Sequence, residues 1–416
     1  MRTALTLAAL VAGALPARPA LAAAQAAVVV DPAGPIRTVG EALARVAPGG
    51  TITLLAGTYR EPLLRVTRPV TLLGDSGAVL EGGEHGIFLV TADSVTFRGL
   101  TFRHVAHSFV EDRAAIKFDS VAACAVLDSR FEDTFFGIYL ARSRGCRIAG
   151  NVLDGGATSE ATAGNAIHLF HSRDVSITGN RVTRHRDGIY FEFTEDARVE
   201  DNVSTGNLRY GLHFMFSHRC AYRRNQFVDN GAGVAVMYTN RVVMEGNTFA
   251  DNWGAATYGL LLKEIRDSRL AGNTFRRNTV GLFLEGSERN DFAENTFAGN
   301  GWAIRVLADA PGNTFSGNRF VANSFDVATN SRSNVSVFRG NYWDHYEGYD
   351  LDRDGVGDVP YHPVRLFSLL VAQNEPSLIL LRSFFVDLLD AAERVMPVLT
   401  PETLRDDAPL MREPVS

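Results

Sequence analysis

The chain has 416 residues, 46% of them hydrophobic and 21% charged, with a formal net charge of −6. That is enough apolar material for a large core, and the mildly acidic balance offers no basic footprint for nucleic acid. Beyond the first residues no stretch has about 18 consecutive uncharged apolar residues, the length a spanning helix requires. The opening MRTALTLAALVAGALPARPALAA combines Arg2, an apolar run from Ala4 to Leu15 and the small-residue triplet Ala20-Leu21-Ala22. A basic start, a short apolar run and such a triplet predict an export signal over residues 1–22.

The next element, TVGEALARVAPGGTITLLAGTYRE (38–61), predicts a short amphipathic helix around Glu41 to Val46, a glycine turn and a first strand. It resembles the N-terminal cap of the pectate-lyase-like and CASH (carbohydrate-binding proteins and sugar hydrolases) β-helix families.

A repeat follows. Asparagine followed within two residues by an apolar side chain recurs at 151, 180, 202, 225, 247, 273, 295, 318 and 341, and a second series of asparagines runs at 207, 230, 252, 278, 300 and 323. Between them lie short alternating segments such as GIYL from Gly137, AIHL from Ala166, GIYF from Gly188, GLHF from Gly211 and GVAV from Gly233. Alternation over so few residues with Gly and Asn punctuation means short strands and tight turns. A unit of about 22 residues without a helical pattern fits one coil of a solenoid. The predicted fold is all-β, a right-handed parallel β-helix from about residue 50 to 345, within a region 23–345 that includes the N-terminal cap. Asparagine suits the turns because it tolerates left-handed backbone, and its amide can bond from coil to coil.

Register makes the repeat a map. Counting from the Gly or Ala that opens each segment, positions 1 and 3 are Ile, Leu, Val or Phe and point inward, so positions 2 and 4 point outward. Position 2 includes Tyr139, His168, Tyr190 and His213; position 4 includes Glu192, Met215, Met237, Lys263 and Glu285. This predicts an exposed face with Met215 and Met237 side by side on adjacent coils, about 4.8 Å apart at the backbone, and His213 about 6.6 Å along the strand. Thioethers with imidazole select Cu(I) over hard cations. His168 joins the same column two coils away. Without metal, the same methionines would serve as an adaptable contact surface. His218 lies past the strand, its direction open. The cysteines fall in an inward apolar column with Val175, Ala197 and Val242, so Cys220 is expected in the core, and Cys124 and Cys146 stack within reach of a disulfide, formed or not.

The last region, 346–416, contains DLDRDGVGD from Asp350 to Asp358. Asp350, Asp352, Asp354 and Asp358 occupy positions 1, 3, 5 and 9 of a Ca²⁺ loop with Gly355 at 6, although Tyr361 stands where a bidentate Glu is usual. An acidic surface turn is the alternative. Then Leu378, Leu380, Leu381, Phe384, Phe385, Leu388 and Leu389 crowd one side of a predicted amphipathic helix within 367–399, interrupted by Arg382, Asp387 and Asp390. It suits a cap on the solenoid or a docking helix for a membrane partner.

GLHFMFSHRC (211–220), VAVMYTNRV one coil later and NYWDHYEGYDLDRDGVGDVPY together resemble the NosD family, periplasmic β-helix proteins of nitrous oxide reductase maturation. The resemblance covers nearly the whole chain. It implies a non-enzymatic periplasmic component, peripheral to the inner membrane. Its partners would be the membrane and ATPase subunits of an ABC-type complex, a copper chaperone lipoprotein, and nitrous oxide reductase. The absence of a G-x-x-x-x-G-K-[ST] motif agrees, since ATP hydrolysis would belong to another subunit. Two other readings stand beside it: an exported polysaccharide lyase, epimerase or hydrolase using Glu192, Lys263 and Glu285, and a scaffold without metal.

Overall fold

Each coil of the repeat lays down three short strands, and equivalent strands stack into three parallel sheets of 14, 12 and 13 strands. A computed structural model describes residues 25–414, apart from 109, 256, 308, 331–334, 382 and 396–403. The expected signal, 1–22, lies outside the described residues. The result is a right-handed parallel β-helix of about 14 turns with few helices.

The asparagines have a different part from the one the turn argument gives them. None of the repeat asparagines has a positive φ; the left-handed residue is the one before, as at Gly150 (φ 67°), Gly246 (φ 63°), Asp201 (φ 57°) and Arg224 (φ 51°). This leaves the amide free for the ladder. Asn202 Nδ2 donates to Asn225 Oδ1 at 3.0 Å, Asn225 to Asn247 at 3.0 Å, and Asn247 to Asn273 at 2.9 Å. Each Oδ1 also accepts a backbone N–H from the preceding coil, as Asn225 Oδ1 does from Asn202 N. Buried amides are thereby satisfied in series. Beside them runs a stack of rings through Phe227, Phe249, Phe275, Phe297, Phe320 and Trp343, with centroids 4.0–5.6 Å apart.

Cys124 and Cys146 are joined as a disulfide across a 4.5 Å Cα separation, and Cys220 is a free, buried thiol.

Both ends are closed. At the N-terminus Thr38 caps helix α1 (Val39–Arg45) by accepting from Glu41 N. The solenoid begins earlier than residue 50: strand Gln25–Val30 precedes the helix and pairs in parallel with Val46–Leu54. At the other end the single tail helix expected within 367–399 is in fact α2 (Leu366–Gln373), a 3₁₀ turn (Glu375–Leu380) and α3 (Phe384–Val395). Pro376 has no N–H to carry an α-helix on from Asn374. The tail rests on the solenoid, with Phe367 and Val371 buried against Phe325 and Leu378, Leu381, Val386 and Leu389 packed around them. Ile379, Phe384, Phe385 and Leu388 remain exposed. Among the described residues no helix is long and apolar enough to cross a membrane.

Candidate metal centres

The outward face of the second sheet carries the methionines as the register requires. Met215 in strand Tyr210–Met215 pairs directly with Met237 in strand Ala232–Met237, with Glu192 on the coil below and Lys263 on the coil above. Both methionines are partly exposed. Lys263 is tied to Glu285 at 2.7 Å, so these two neutralise one another. Alongside runs an exposed ladder of rings: His171 to Phe193 at 4.6 Å, Phe193 to Phe216 at 5.1 Å, Phe216 to Tyr238 at 5.0 Å, each within 11° of parallel.

The position-2 column is exposed only in part and is closed at His213, and this corrects the sequence reading. His213 is only 3% exposed, and Tyr139, Ala235 and Leu261 are buried as well. The column points outward, but large neighbours close over it: Tyr210 and Tyr190 lie 4.8 and 5.1 Å from the His213 ring. Neither His213 nitrogen has a hydrogen-bond partner. His168 is sandwiched between Tyr139 at 4.3 Å and Tyr190 at 4.7 Å, and its Nδ1 meets Asn165 Nδ2 at 3.0 Å. Burial, aided by the charges of Arg186 and Lys117, pushes its pKa down to about 3, so the ring stays neutral. Tyr190 lies between the two histidines, so they do not meet at one ion. Burial first, then Glu192, raises the Tyr190 phenol to about 12.

Sequence reasoning missed Asp187. It is fully buried, both oxygens lack hydrogen bonds, and Oδ2 lies 3.9 Å from His213 Nδ1 and 3.6 Å from Arg186 Nε. It precedes the glycine that opens the strand, outside the alternating positions by which the face was mapped. At 3.9 Å this carboxylate lies beside the imidazole without a hydrogen bond to it, so the two buried groups form a charge contact and both His213 nitrogens stay unpaired.

His218 and Cys220 serve elsewhere. His218 Nδ1 accepts from Asn240 N at 3.3 Å within the turn, and Cys220 is 1% exposed, its thiol pushed up to about 11 mainly by burial.

In the acidic loop Asp350, Asp352 and Asp354 each bring a carboxylate oxygen within 4.8 Å of the others. Gly355 at φ 89° supplies the turn, and Gly355 N donates to Asp350 Oδ2 at 2.9 Å. Asp358 stands outside this group, with Oδ2 accepting from Leu351 N at 2.7 Å. Tyr361 turns inward, its hydroxyl donating to Asp326 Oδ2 at 3.0 Å.

Comparison with known proteins gives this geometry a family. Residues 153–348 match the family model described as periplasmic copper-binding protein (NosD). The probable ABC transporter binding protein NosD of Pseudomonas aeruginosa is 31% identical over 395 residues, covering 88% of this chain and 89% of that protein. Its namesake from Stutzerimonas stutzeri is 32% identical over 114 residues, 27% of this chain and 26% of that protein. Among solved structures, the catalytic unit of an alpha-1,3-glucanase from Streptomyces thermodiastaticus has a TM-score of 0.62 at 15% identity, covering 78% of this chain and 70% of that one. A family 28 exopolygalacturonase of Yersinia enterocolitica has a TM-score of 0.60 at 11% identity, covering 75% and 78%. These two share the fold alone. By a likeness that covers nearly nine tenths of the Pseudomonas relative, the chain belongs to the NosD family of periplasmic copper-binding proteins.

Proposed function

We propose that this chain is the periplasmic, non-enzymatic component of an ABC-type complex, and that it relays Cu(I). It takes copper from a chaperone lipoprotein and presents it to nitrous oxide reductase, while membrane and ATPase subunits hold it at the inner membrane and drive the cycle. The observation that carries this reading is the register pairing of Met215 with Met237 on an accessible strand face. Two thioethers form a soft site, and the buried His213 two residues away, its nitrogens unpaired, is available as a third ligand. His168, walled off behind Tyr190, lies outside the ligand set. A site only partly enclosed suits a carrier, which must release its ion.

The experiment is an anaerobic Cu(I) titration against a competing chelator. Wild type should bind one equivalent at the patch, Met215→Ala with Met237→Ala should lose it, and His168→Ala should keep it. The fold should survive, since exposed positions usually shift stability by under about 0.5 kcal/mol. A double methionine variant that binds and passes copper like wild type would sink the assignment. Turnover of a polysaccharide by the pure protein would instead favour the lyase, epimerase or hydrolase reading.

A further inference from the structure

The C-terminal end of the solenoid carries another set of ligand-capable groups, used neither by the methionine patch nor by the acidic loop. Asp326 lies in strand Phe325–Ala328, the last of the second sheet, and Asp344 and His345 follow Tyr342–Trp343, the last of the third. His345 Nδ1 is 3.1 Å from Asp344 Oδ1 and 3.6 Å from Asp326 Oδ2. One ligand atom from each of the three lies within 4.8 Å of the other two. A tetrahedral Zn²⁺ with bonds of about 2.0–2.2 Å sets its ligand atoms about 3.3–3.6 Å apart, which brackets the distance from His345 to Asp326 and lies just above that to Asp344.

An independent observation points the same way. Asp326 is 5% exposed, and while Oδ2 accepts from Tyr361, Oδ1 is shut from solvent without a hydrogen bond. An orphan carboxylate oxygen in the interior is costly. Pairing with His345 does not relieve it, because the imidazole approaches the other oxygen and stands beyond hydrogen-bond distance.

We propose that Asp326, Asp344 and His345 form a binding site for a Zn²⁺-class dication that fastens together the last strands of the second and third sheets. One nitrogen and two carboxylates without sulfur do not select Cu(I), and three protein ligands are too few for the six to eight oxygens of Ca²⁺. The site therefore differs in chemistry from both other centres. It ties the end of the second sheet to the chain that leaves the third, joining two sheets where no further coil does so.

The test strips the purified protein with chelator, saturates the acidic loop with excess Ca²⁺, and titrates Zn²⁺ by calorimetry and Co²⁺ by visible absorption. Wild type should take up an equivalent that Asp326→Asn and His345→Gln each weaken about tenfold or more. The Co²⁺ bands of a four-coordinate nitrogen and oxygen site should vanish in both variants. Zn²⁺ should raise the melting temperature of wild type but not of His345→Gln, whose partly exposed side chain can change without loss of the fold. Should Asp326→Asn fail to fold, His345→Gln decides alone. Equal Zn²⁺ binding by wild type and folded His345→Gln, or no such equivalent in wild type, overturns the proposal.

Discussion

His185 shows what one side chain does to a ladder. Its backbone N–H donates to Asn207 Oδ1 at 3.1 Å, as the asparagines of the ladder do, but it brings an imidazole where they bring an amide. That ring is 1% exposed, neither nitrogen has a partner, and burial pushes its pKa down to about 4. His168, near 3, behaves alike. In the unfolded chain both would take up a proton near pH 6.5, whereas the folded protein resists until about pH 4 and 3. The unfolded state thus holds more protons in between, and stability is lost as pH falls from about 6.5 toward 4. His185→Asn should remove part of that acid limb and, by restoring an amide donor to Asn207, stabilise the protein by about 1 kcal/mol at pH 7. Urea unfolding at pH 7 and pH 5 checks this; an unchanged acid limb would refute it. Cys220→Ser should act in the opposite direction, costing about 1–3 kcal/mol by placing a hydroxyl in the apolar column while leaving copper binding intact. Loss of copper binding in that variant, with the fold retained, would contradict the placement of Cys220 in the core.

A ladder that runs the length of a solenoid must end on something, and here the element that ends it comes from far along the chain. Asp406 is fully buried and parallels the strand of Phe338. Its Oδ2 accepts from Asn341 N and Nδ2, both at 2.9 Å, and from Trp343 Nε1 at 3.1 Å, while Oδ1 accepts from Gly340 N at 3.0 Å and Ala408 N at 3.1 Å. One carboxylate thus stands in for the asparagine of a coil that does not exist. Nothing in LRDDAPLM announces this, because the function rests on one residue returning from 65 positions away rather than on a repeated pattern. The ladder itself was legible, since its spacing recurs; the left-handed residue before each asparagine was not, since Gly, Asp, Arg and Glu all occupy it. Asp406→Ala should strand several buried donors and cost about 3 kcal/mol or more, with Asp406→Asn milder because one oxygen survives. Hydrogen exchange should show the loss first in the last coils. Uniform loosening along the solenoid would argue against a terminal cap.

At the scale of the molecule, strand alternation told which way each side chain points, and the paired methionines follow from it directly. Burial did not follow, because outward residues such as His213 are covered by rings from neighbouring coils and the tail helices lie over Phe325 and Trp302. Contacts of that kind depend on side-chain size and on distant segments, which a repeat of 22 residues does not encode. The acidic loop joins this end of the molecule in a way the motif alone does not reveal. Gly357 N donates to Pro409 O at 2.8 Å and Met411 N to Gly355 O at 3.0 Å, so the loop is laced to the segment that carries Asp406. In a solenoid, whose units contact only their neighbours, a loosened end transmits instability inward coil by coil. If Asp350, Asp352 and Asp354, with Asp358 drawn in, hold Ca²⁺, the ion should stabilise the cap and through it the stack. At a Ca²⁺ concentration about 100 times Kd the gain is about 2.7 kcal/mol. Chelator should then lower the melting temperature by several degrees, restored by Ca²⁺ and absent in Asp350→Asn with Asp354→Asn. Hydrogen exchange near Asp406 should rise in step with the thermal shift. A melting temperature indifferent to chelator and Ca²⁺ would reduce the loop to an acidic turn held by its own backbone hydrogen bonds.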